Sequence, residues 1–283
     1  MISEKLEKAR AYEAENEKKI TPQMRPVFHL TPRVGWMNDP NGFSYYNGAY
    51  HMFYQFYDDT KWGPMHWAHA TSKDLIHWEE QPIALYPDAN GAMFSGCIVA
   101  DEKNTSGLFG DGNEGGLVAL ITADGNGQRI KVAYSTDEGK TWKKTNKIAA
   151  DWSKDPLNNR DFRDPKVFRW ENKWFMVIAG GPLRIYSSDN LTDWKCESTY
   201  ADLHTECPDL YPIETKDGVK WVLSRGGSQI FIMIVRDGLT VFVDTTTENR
   251  MCKFVSAGFY ITSTVDEVMW VLCGNYGIKH NGQ

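Results

Sequence analysis

The chain has 283 residues, 41% hydrophobic and 24% charged, with a formal net charge of −6, an ordinary balance for a globular chain of one large or two small domains. An acidic chain without a basic stripe is a poor nucleic-acid binder, and no run of about 18 apolar residues offers a membrane span. Cys97, Cys196, Cys207, Cys252 and Cys273 form no C-x-x-C pair, and the charged N-terminus has no apolar signal-peptide core, so reduced thiols in a cytoplasmic protein with no zinc site are expected.

The first element expected is a helix over residues 2–19. Ile2, Leu6, Ala9 and Tyr12 or Glu13 fall near helical spacing with Glu and Lys between them, and Ser3 is a candidate N-cap. This extension, residues 1–22, closes at Thr21-Pro22. From residue 23 onward the chain reads as short apolar strands separated by Gly, Asn, Asp and Pro. Five strands share one character, aromatic and β-branched after a turn: Ala49–Tyr54, Leu117–Ile121, Trp174–Ile178, Trp221–Leu223 and Val268–Leu272. After three of them comes Ser-x-Asp, then a Trp four or five residues on: Ser72-Lys73-Asp74 with Trp78, Ser135-Thr136-Asp137 with Trp142, and Ser187-Ser188-Asp189 with Trp194. Five copies from residue 27 onward give a period of about 50 residues, the span of a four-stranded propeller blade. The fold expected is therefore all-β: a five-bladed β-propeller over residues 23–283 behind a short N-terminal helix. The three tryptophans are expected to pack between blades. The fourth and fifth copies lack the Ser-x-Asp element, and residues 226–265 resist parsing.

Three acidic motifs carry the chemistry: Trp36-Met37-Asn38-Asp39-Pro40-Asn41-Gly42, Phe162-Arg163-Asp164-Pro165-Lys166 and Glu206-Cys207-Pro208-Asp209-Leu210. Each precedes or opens the first strand of a blade, the first, third and fourth. First strands line the axis of a propeller, so Asp39, Asp164 and Glu206 should converge on one end of it. Any one motif alone reads as turn chemistry, since Asp-Pro and Asn-Gly are common turn dipeptides. Three in register within a repeat do not. Like charges gathered in one cleft raise the free energy, and folds keep them for a use. Two carboxylates flanking a glycosidic bond, one ionised and one protonated, carry out its hydrolysis. Asp39, among Asn38, Asn41 and turn amides, is expected to hold its charge. Glu206, beside Cys207 and Pro208 and near the other acids, is expected to hold its proton, and Asp164, following Arg163, to stay ionised. His66 and His69 invite a metal reading, but three-residue spacing on a strand sends them to opposite faces. No metal is expected.

These blocks resemble glycoside hydrolase family 32, the invertase, sucrose-6-phosphate hydrolase and fructanase group. Phe53-Tyr54-Gln55, Trp62–Ala70, Ser72 to Trp78 and Phe94-Ser95-Gly96 extend the likeness, which runs from residue 26 to about residue 224. The helix leading into Arg25–Leu30 most resembles the intracellular sucrose-6-phosphate hydrolase branch. The resemblance implies a five-bladed propeller and a retaining β-fructofuranosidase that splits sucrose or sucrose 6-phosphate by double displacement. It implies Asp39 as nucleophile, Glu206 as acid/base and Asp164 as transition-state stabiliser. By motif position, Trp36, Met37, Asn38, Gln55, Trp62, Phe94, Ser95 and Arg163 would contact the sugar, and Trp270 matches a late active-site Trp. A small-molecule sugar is the partner implied, with no cofactor. Family members carry a C-terminal β-sandwich for which this sequence leaves no room, so an exposed apolar flank is expected, with self-association or low stability. Fructan exo-hydrolase and fructosyltransferase are rivals that share the first steps. From other classes come a non-catalytic sugar-binding propeller and an inverting arabinan- or xylan-cleaving one, against which the Asn38-Asp39-Pro40-Asn41 block argues.

Overall fold

Apolar runs such as Leu117–Ile121 have no polar face, so a strand built from one must be covered on both sides. The computed structural model describes residues 3–21, 23, 25, 30–111, 114–216, 218–224 and 226, with the backbone of Ile230–Arg236 and Thr240–Asp244. In it the runs are covered by stacking four-stranded sheets face to face. The first sheet holds β1 (Trp36–Tyr46), β2 (Ala49–Tyr57), β3 (His66–Ser72) and β4 (Trp78–Leu85). The second holds β5 (Ala92–Asp101), β6 (Gly116–Gly125), β7 (Gly127–Ser135) and β8 (Lys143–Asp151). The third holds β9 (Arg163–Trp170), β10 (Lys173–Ala179), β11 (Gly181–Ser188) and β12 (Lys195–Thr205), and the fourth β13 (Asp209–Thr215), β14 (Gly218–Ser224), β15 (Ile230–Arg236) and β16 (Thr240–Asp244). Every sheet is an antiparallel meander in chain order, and the inner strands β1, β5, β9 and β13 neighbour one another in turn. This is a β-propeller. The aromatic and β-branched runs singled out in the sequence are the second strand of each blade. β15 and β16 fall within the stretch that resisted parsing. The expected fifth blade, with Val268–Leu272 and Trp270, lies outside the described residues.

Alternate side chains of β6 face opposite ways, as the two-residue period of a strand requires. Val118 and Leu120 join Phe162, Val167, Trp174, Met176 and Ile178 between blades two and three. Leu117, Ala119 and Ile121 join Phe53, Trp67 and Leu85 between blades one and two. A third cluster, with Val177, Ile185, Leu210, Trp221 and Leu223, joins blades three and four.

The Ser-x-Asp element is one recurrent turn. Ser72 Oγ accepts from Leu75 N (2.8 Å), Asp74 Oδ1 accepts from His77 N (2.7 Å), and Trp78 Nε1 donates to Leu75 O (3.2 Å). Blade two repeats it with Ser135, Asp137 and Trp142. Blade three corrects the sequence register. Its turn is built on Ser188 and Asn190, not Ser187 and Asp189: Asn190 N donates to Ser188 Oγ (3.1 Å), Asn190 Oδ1 accepts from Asp193 N (2.8 Å), and Trp194 Nε1 donates to Leu191 O (2.9 Å). An amide oxygen accepts these bonds as a carboxylate does, which frees Asp189 to sit in solvent opposite Lys173 (3.8 Å). Trp142 meets Phe53 of blade one edge-on at 5.7 Å, and Trp194 packs against the cluster between blades two and three.

The helix α1 runs Glu4–Asn16, and its Leu6 and Ala9 pack on Tyr54, Phe56, Ala68 and Ile83 of blade one. Ser3 occupies the N-cap position, but its side chain makes no capping bond. No helix among the described residues is long and apolar enough to cross a membrane. His66 and His69 lie on opposite faces of β3, His66 against Phe56 and His69 stacked on Phe53 at 4.1 Å and 3.1 Å from His51 Nδ1.

Among the described residues, one ion pair is buried outright. Arg184 and Asp155 are both fully buried, with Arg184 Nη2 2.6 Å from Asp155 Oδ2 and Nη1 donating to Asp161 O (3.2 Å), Ala179 O (3.2 Å) and Pro182 O (2.6 Å). It clamps the segment that enters β9. Breaking such a pair from one side leaves an uncompensated charge. Asp155→Ala should cost about 3–5 kcal/mol in urea unfolding.

Buried ionisable groups make stability depend on pH from both sides. Burial pushes the Glu13 and Glu80 carboxyls up to about 7, with Glu17 adding to the rise at Glu13 and Glu13 to the rise at Glu80. Burial likewise pushes His66 down to about 4 and His69 to about 3. The two carboxyls keep protons in the folded chain that the unfolded chain releases above about pH 4.5, so stability falls as pH rises from there to about 7. The histidines refuse protons that the unfolded chain takes up below about pH 6.5, so stability also falls as pH drops through that value. Glu80→Gln keeps an acceptor for the Tyr54 hydroxyl, which donates to Glu80 Oε2 at 2.9 Å. In urea titrations it should exceed the wild type by up to about 3 kcal/mol at pH 8 and match it at pH 4.

Candidate active site

The first acidic motif opens β1, where pairing with β2 is irregular between Met37 and Pro40 and again between Asn41 and Ser44. Proline cannot donate to a sheet ladder, so the strand bulges around it. Buried Asn41 holds the bulge: its Nδ2 donates to Asp39 O (3.0 Å) and its Oδ1 accepts from Gly96 N (3.0 Å) on β5. The sequence placed Asn41 at the carboxylate of Asp39; the structure places it on the backbone oxygen instead. Other side chains serve that carboxylate. Asn38 Nδ2 donates to Oδ1 (3.1 Å), while Ser95 Oγ (2.6 Å) and Gln55 Nε2 (3.4 Å) donate to Oδ2. Gln55 Nε2 also donates to Ser95 Oγ (2.9 Å), and Trp36 Nε1 donates to Asn38 Oδ1 (2.8 Å). Both of these second contacts orient donors toward Asp39.

Asp164 opens β9 in the left-handed conformation, at φ +60°. It is only 6% exposed. Its N–H donates to Thr122 Oγ1 (2.9 Å), and its Oδ2 accepts from Cys207 N (3.0 Å). Burial pushes its carboxyl up to about 6, against the opposing pull of Cys207 N–H and Arg163 and with the help of Asp39. The adjacent Arg163 does favour the charged form, as the sequence suggests, but desolvation outweighs its pull, so the carboxyl shifts upward while still ionising below pH 7.

Glu206 lies in the link before β13. It departs from expectation: its side chain is 64% exposed and accepts from Arg163 Nη2 at 2.5 Å. Cys207 and Pro208 do not enclose it. Cys207, at φ +45°, brings the motifs together, with Sγ 3.5 Å from Asp164 Oδ2 and 4.0 Å from Asp39 Oδ2. Arg163 passes close to Gly180, where a Cβ would come within 2.5 Å of Arg163 Cγ, so a residue without one sits there. Trp62 is 55% exposed and meets Phe94 edge-on at 6.1 Å. The channel below the carboxylates is lined by Pro40, Ser95, Cys97, Asp164, Lys166 and Asp209, with Lys166 paired to Asp209 at 3.1 Å.

The structure thus gathers Trp36, Asn38, Asp39, Gln55, Ser95, Arg163, Asp164 and Glu206 into one hydrogen-bonded and ion-paired set, with Trp62 and Phe94 paired as rings. Met37 stands apart, since its side chain packs into the cluster beneath α1. Trp270 lies outside the described residues. Sequence reasoning missed Thr122 and Gln128, which grip the second motif from blade two and carry no local signal of it. Cys207 lay inside a motif already singled out. Among the described residues, no three His, Cys, Asp or Glu side chains form a group able to hold a metal ion.

The family described as "Glycosyl hydrolases family 32 N-terminal domain" matches residues 29–260. A relative named fructan beta-fructosidase, from Streptococcus mutans, is 72% identical over 204 residues, covering 72% of this chain and 14% of the relative. A Bacillus subtilis levanase is 46% identical over 218 residues, covering 70% of this chain and 31% of the relative. Among solved structures, the exo-inulinase from Aspergillus awamori superposes with a TM-score of 0.68 at 35% identity, over 79% of this chain and 52% of that one. The beta-fructofuranosidase from Schwanniomyces occidentalis complexed with fructosyl-erythritol gives 0.72 at 32%, over 87% and 54%. The chain therefore spans well under two thirds of each of these proteins.

The raised carboxyl of Asp164 carries a cost that can be measured. The folded chain keeps the proton to about pH 6 and the unfolded chain only to about 3.8, so stability falls as pH rises across that interval. Asp164→Asn removes the buried charge and tolerates the left-handed backbone. It should be more stable than the wild type at pH 7, by at most about 3 kcal/mol, with the gain gone below about pH 4 in urea unfolding.

Proposed function

The chain belongs to glycosyl hydrolase family 32, and on that footing we propose that it releases fructose from a fructoside by double displacement. The observation that carries the reading is the meeting of three acidic motifs at one sulfur atom: Asp39 and Asp164 both approach Cys207 Sγ, and Glu206 is the residue before it. Asp39 attacks the anomeric C2 of the fructosyl unit. Its donors, Asn38, Ser95 and Gln55, hold the carboxylate in one orientation, the condition for an effective nucleophile. Glu206 gives its proton to the departing oxygen. The covalent fructosyl-enzyme then reacts with water, which Glu206 activates in the reverse sense. To act, Glu206 exchanges its contact with Arg163 for the glycosidic oxygen, and its exposed side chain has room to turn. Asp164 holds sugar hydroxyls. Arg163, Trp36, Trp62 and Phe94 frame the same unit.

A fructan is the substrate this reading favours over sucrose or sucrose 6-phosphate. Support comes from 72% and 46% identity to proteins named fructan beta-fructosidase and levanase, against 40% for a Schizosaccharomyces pombe invertase. The pairing of Lys166 with Asp209 adds to it, because that cation already has a carboxylate partner and does not wait for a phosphate.

Purified chain should release fructose from levan or inulin with higher kcat/KM than from sucrose 6-phosphate. NMR should show the first-formed sugar with retained configuration. Asp39→Asn should lower kcat by roughly 10⁴-fold while the fold persists by circular dichroism, since an amide cannot attack. Inverted product would rule out double displacement, and substantial turnover by the Asn variant would remove Asp39 from the role.

A further inference from the structure

The three residues that deliver the second motif to the axis are held from a different blade. Phe162 N donates to Gln128 Oε1 (2.8 Å), Arg163 Nη1 donates to the same oxygen (3.3 Å), and Asp164 N donates to Thr122 Oγ1 (2.9 Å). Thr122 ends the apolar run of β6 and is fully buried; Gln128, near the start of β7, is buried too. The amide of Gln128 is itself oriented, since its Nε2 donates to Asp124 Oδ1 (3.2 Å). Asp164 needs such a hold because it sits at φ +60°, a conformation that side chains other than glycine keep only when the surroundings enforce it. Blade four completes the grip, with Cys207 N on Asp164 Oδ2.

We propose that Thr122 and Gln128 are positioning residues for the reaction: Thr122 sets the backbone from which the Asp164 carboxylate projects, and Gln128 sets the Arg163 guanidinium that in turn holds Glu206. The inference rests on the fructosyl-transfer reading of the site. Neither side chain needs to touch sugar. Thr122 acts through a group that holds hydroxyls, and Gln128 through the partner of the acid, so the two have different kinetic signatures. Losing the Thr122 oxygen misplaces a carboxylate that strengthens its hold in the transition state, which lowers kcat more than it raises KM. Losing the Gln128 oxygen disturbs the partner of the proton donor, which matters most when the leaving group is a poor one.

The test uses the full 283-residue chain, with Thr122→Val, Thr122→Ser and Gln128→Met assayed on inulin and on an aryl β-fructofuranoside, whose leaving group needs little protonation. Thr122→Val should lose at least tenfold in kcat on both substrates, with KM changed less than threefold. Thr122→Ser, which restores the oxygen, should return to within threefold of the wild type. Gln128→Met should lose at least tenfold on inulin and less than threefold on the aryl fructoside. Two results overturn the proposal: wild-type kcat in Thr122→Val, or Gln128→Met losses that are equal on the two substrates, as simple loss of folded protein would give. A wild-type chain that turns over neither substrate overturns the fructosyl-transfer reading and this inference with it, an outcome distinct from variant failures in an active chain.

Discussion

Asp39 and Asp164 approach the same sulfur atom, and the rest of the site is organised around that crowding of negative charge. Two carboxylates that share one neighbouring atom repel each other. The structure answers the charge of each differently. Asp39 collects donors from Asn38, Ser95 and Gln55. Asp164 is buried and held by the Cys207 N–H, and its carboxyl rises to about 6. Arg163 links the second motif, to which it belongs, with the third, 3.9 Å from Asp164 and 2.5 Å from Glu206. On the proposed reading, a transition state that spreads positive charge over a fructosyl ring would relieve this crowding of negative charge.

Holding like charges together requires a rigid support, and the propeller supplies it through separate routes. Bulged β1 is tied to β5 by Asn41. The turn that enters β9 is clamped by the buried Arg184–Asp155 pair from its own blade and by Thr122 and Gln128 from the blade before it. The link before β13 is tied back to the second motif by Cys207. Each innermost strand is therefore fixed by a neighbour, and the apolar clusters between blades fix the neighbours in turn. Displacement of one blade would move a carboxylate relative to the others, which makes the inter-blade packing part of the geometry of the candidate site.

Much of this was legible in the chain itself. The second strands of the first four blades could be read as apolar runs, because strands buried on both faces carry no polar alternation. The Ser-x-Asp and Trp turns could be read too, because a serine and an aspartate two residues on cap backbone N–H groups locally, with no help from the rest of the fold. The one slip in register, Ser188-Asp189-Asn190 taken one residue early, arose because Asn and Asp offer the same acceptor to the turn. The gathering of Asp39, Asp164 and Glu206 also followed from sequence, since all three precede or open first strands and first strands share an axis.

What the sequence could not determine were quantities that depend on who lies across the chain rather than along it. Arg163 is adjacent to Asp164 in sequence, yet burial outweighs its pull and sets the direction in which that carboxyl shifts. Glu206 stands beside Cys207 and Pro208, yet its side chain turns outward to Arg163. Met37, inside the first motif, packs under α1. Thr122 and Gln128 grip the second motif from about 40 residues away, with nothing in their own neighbourhood to mark them. Local hydrogen bonds and strand periodicity are properties of a short stretch of chain, and so the sequence alone determined the strands, the turns and the motifs. Desolvation, charge pairing and the hold on a left-handed residue are set by distances in space, and only the tertiary structure decided them.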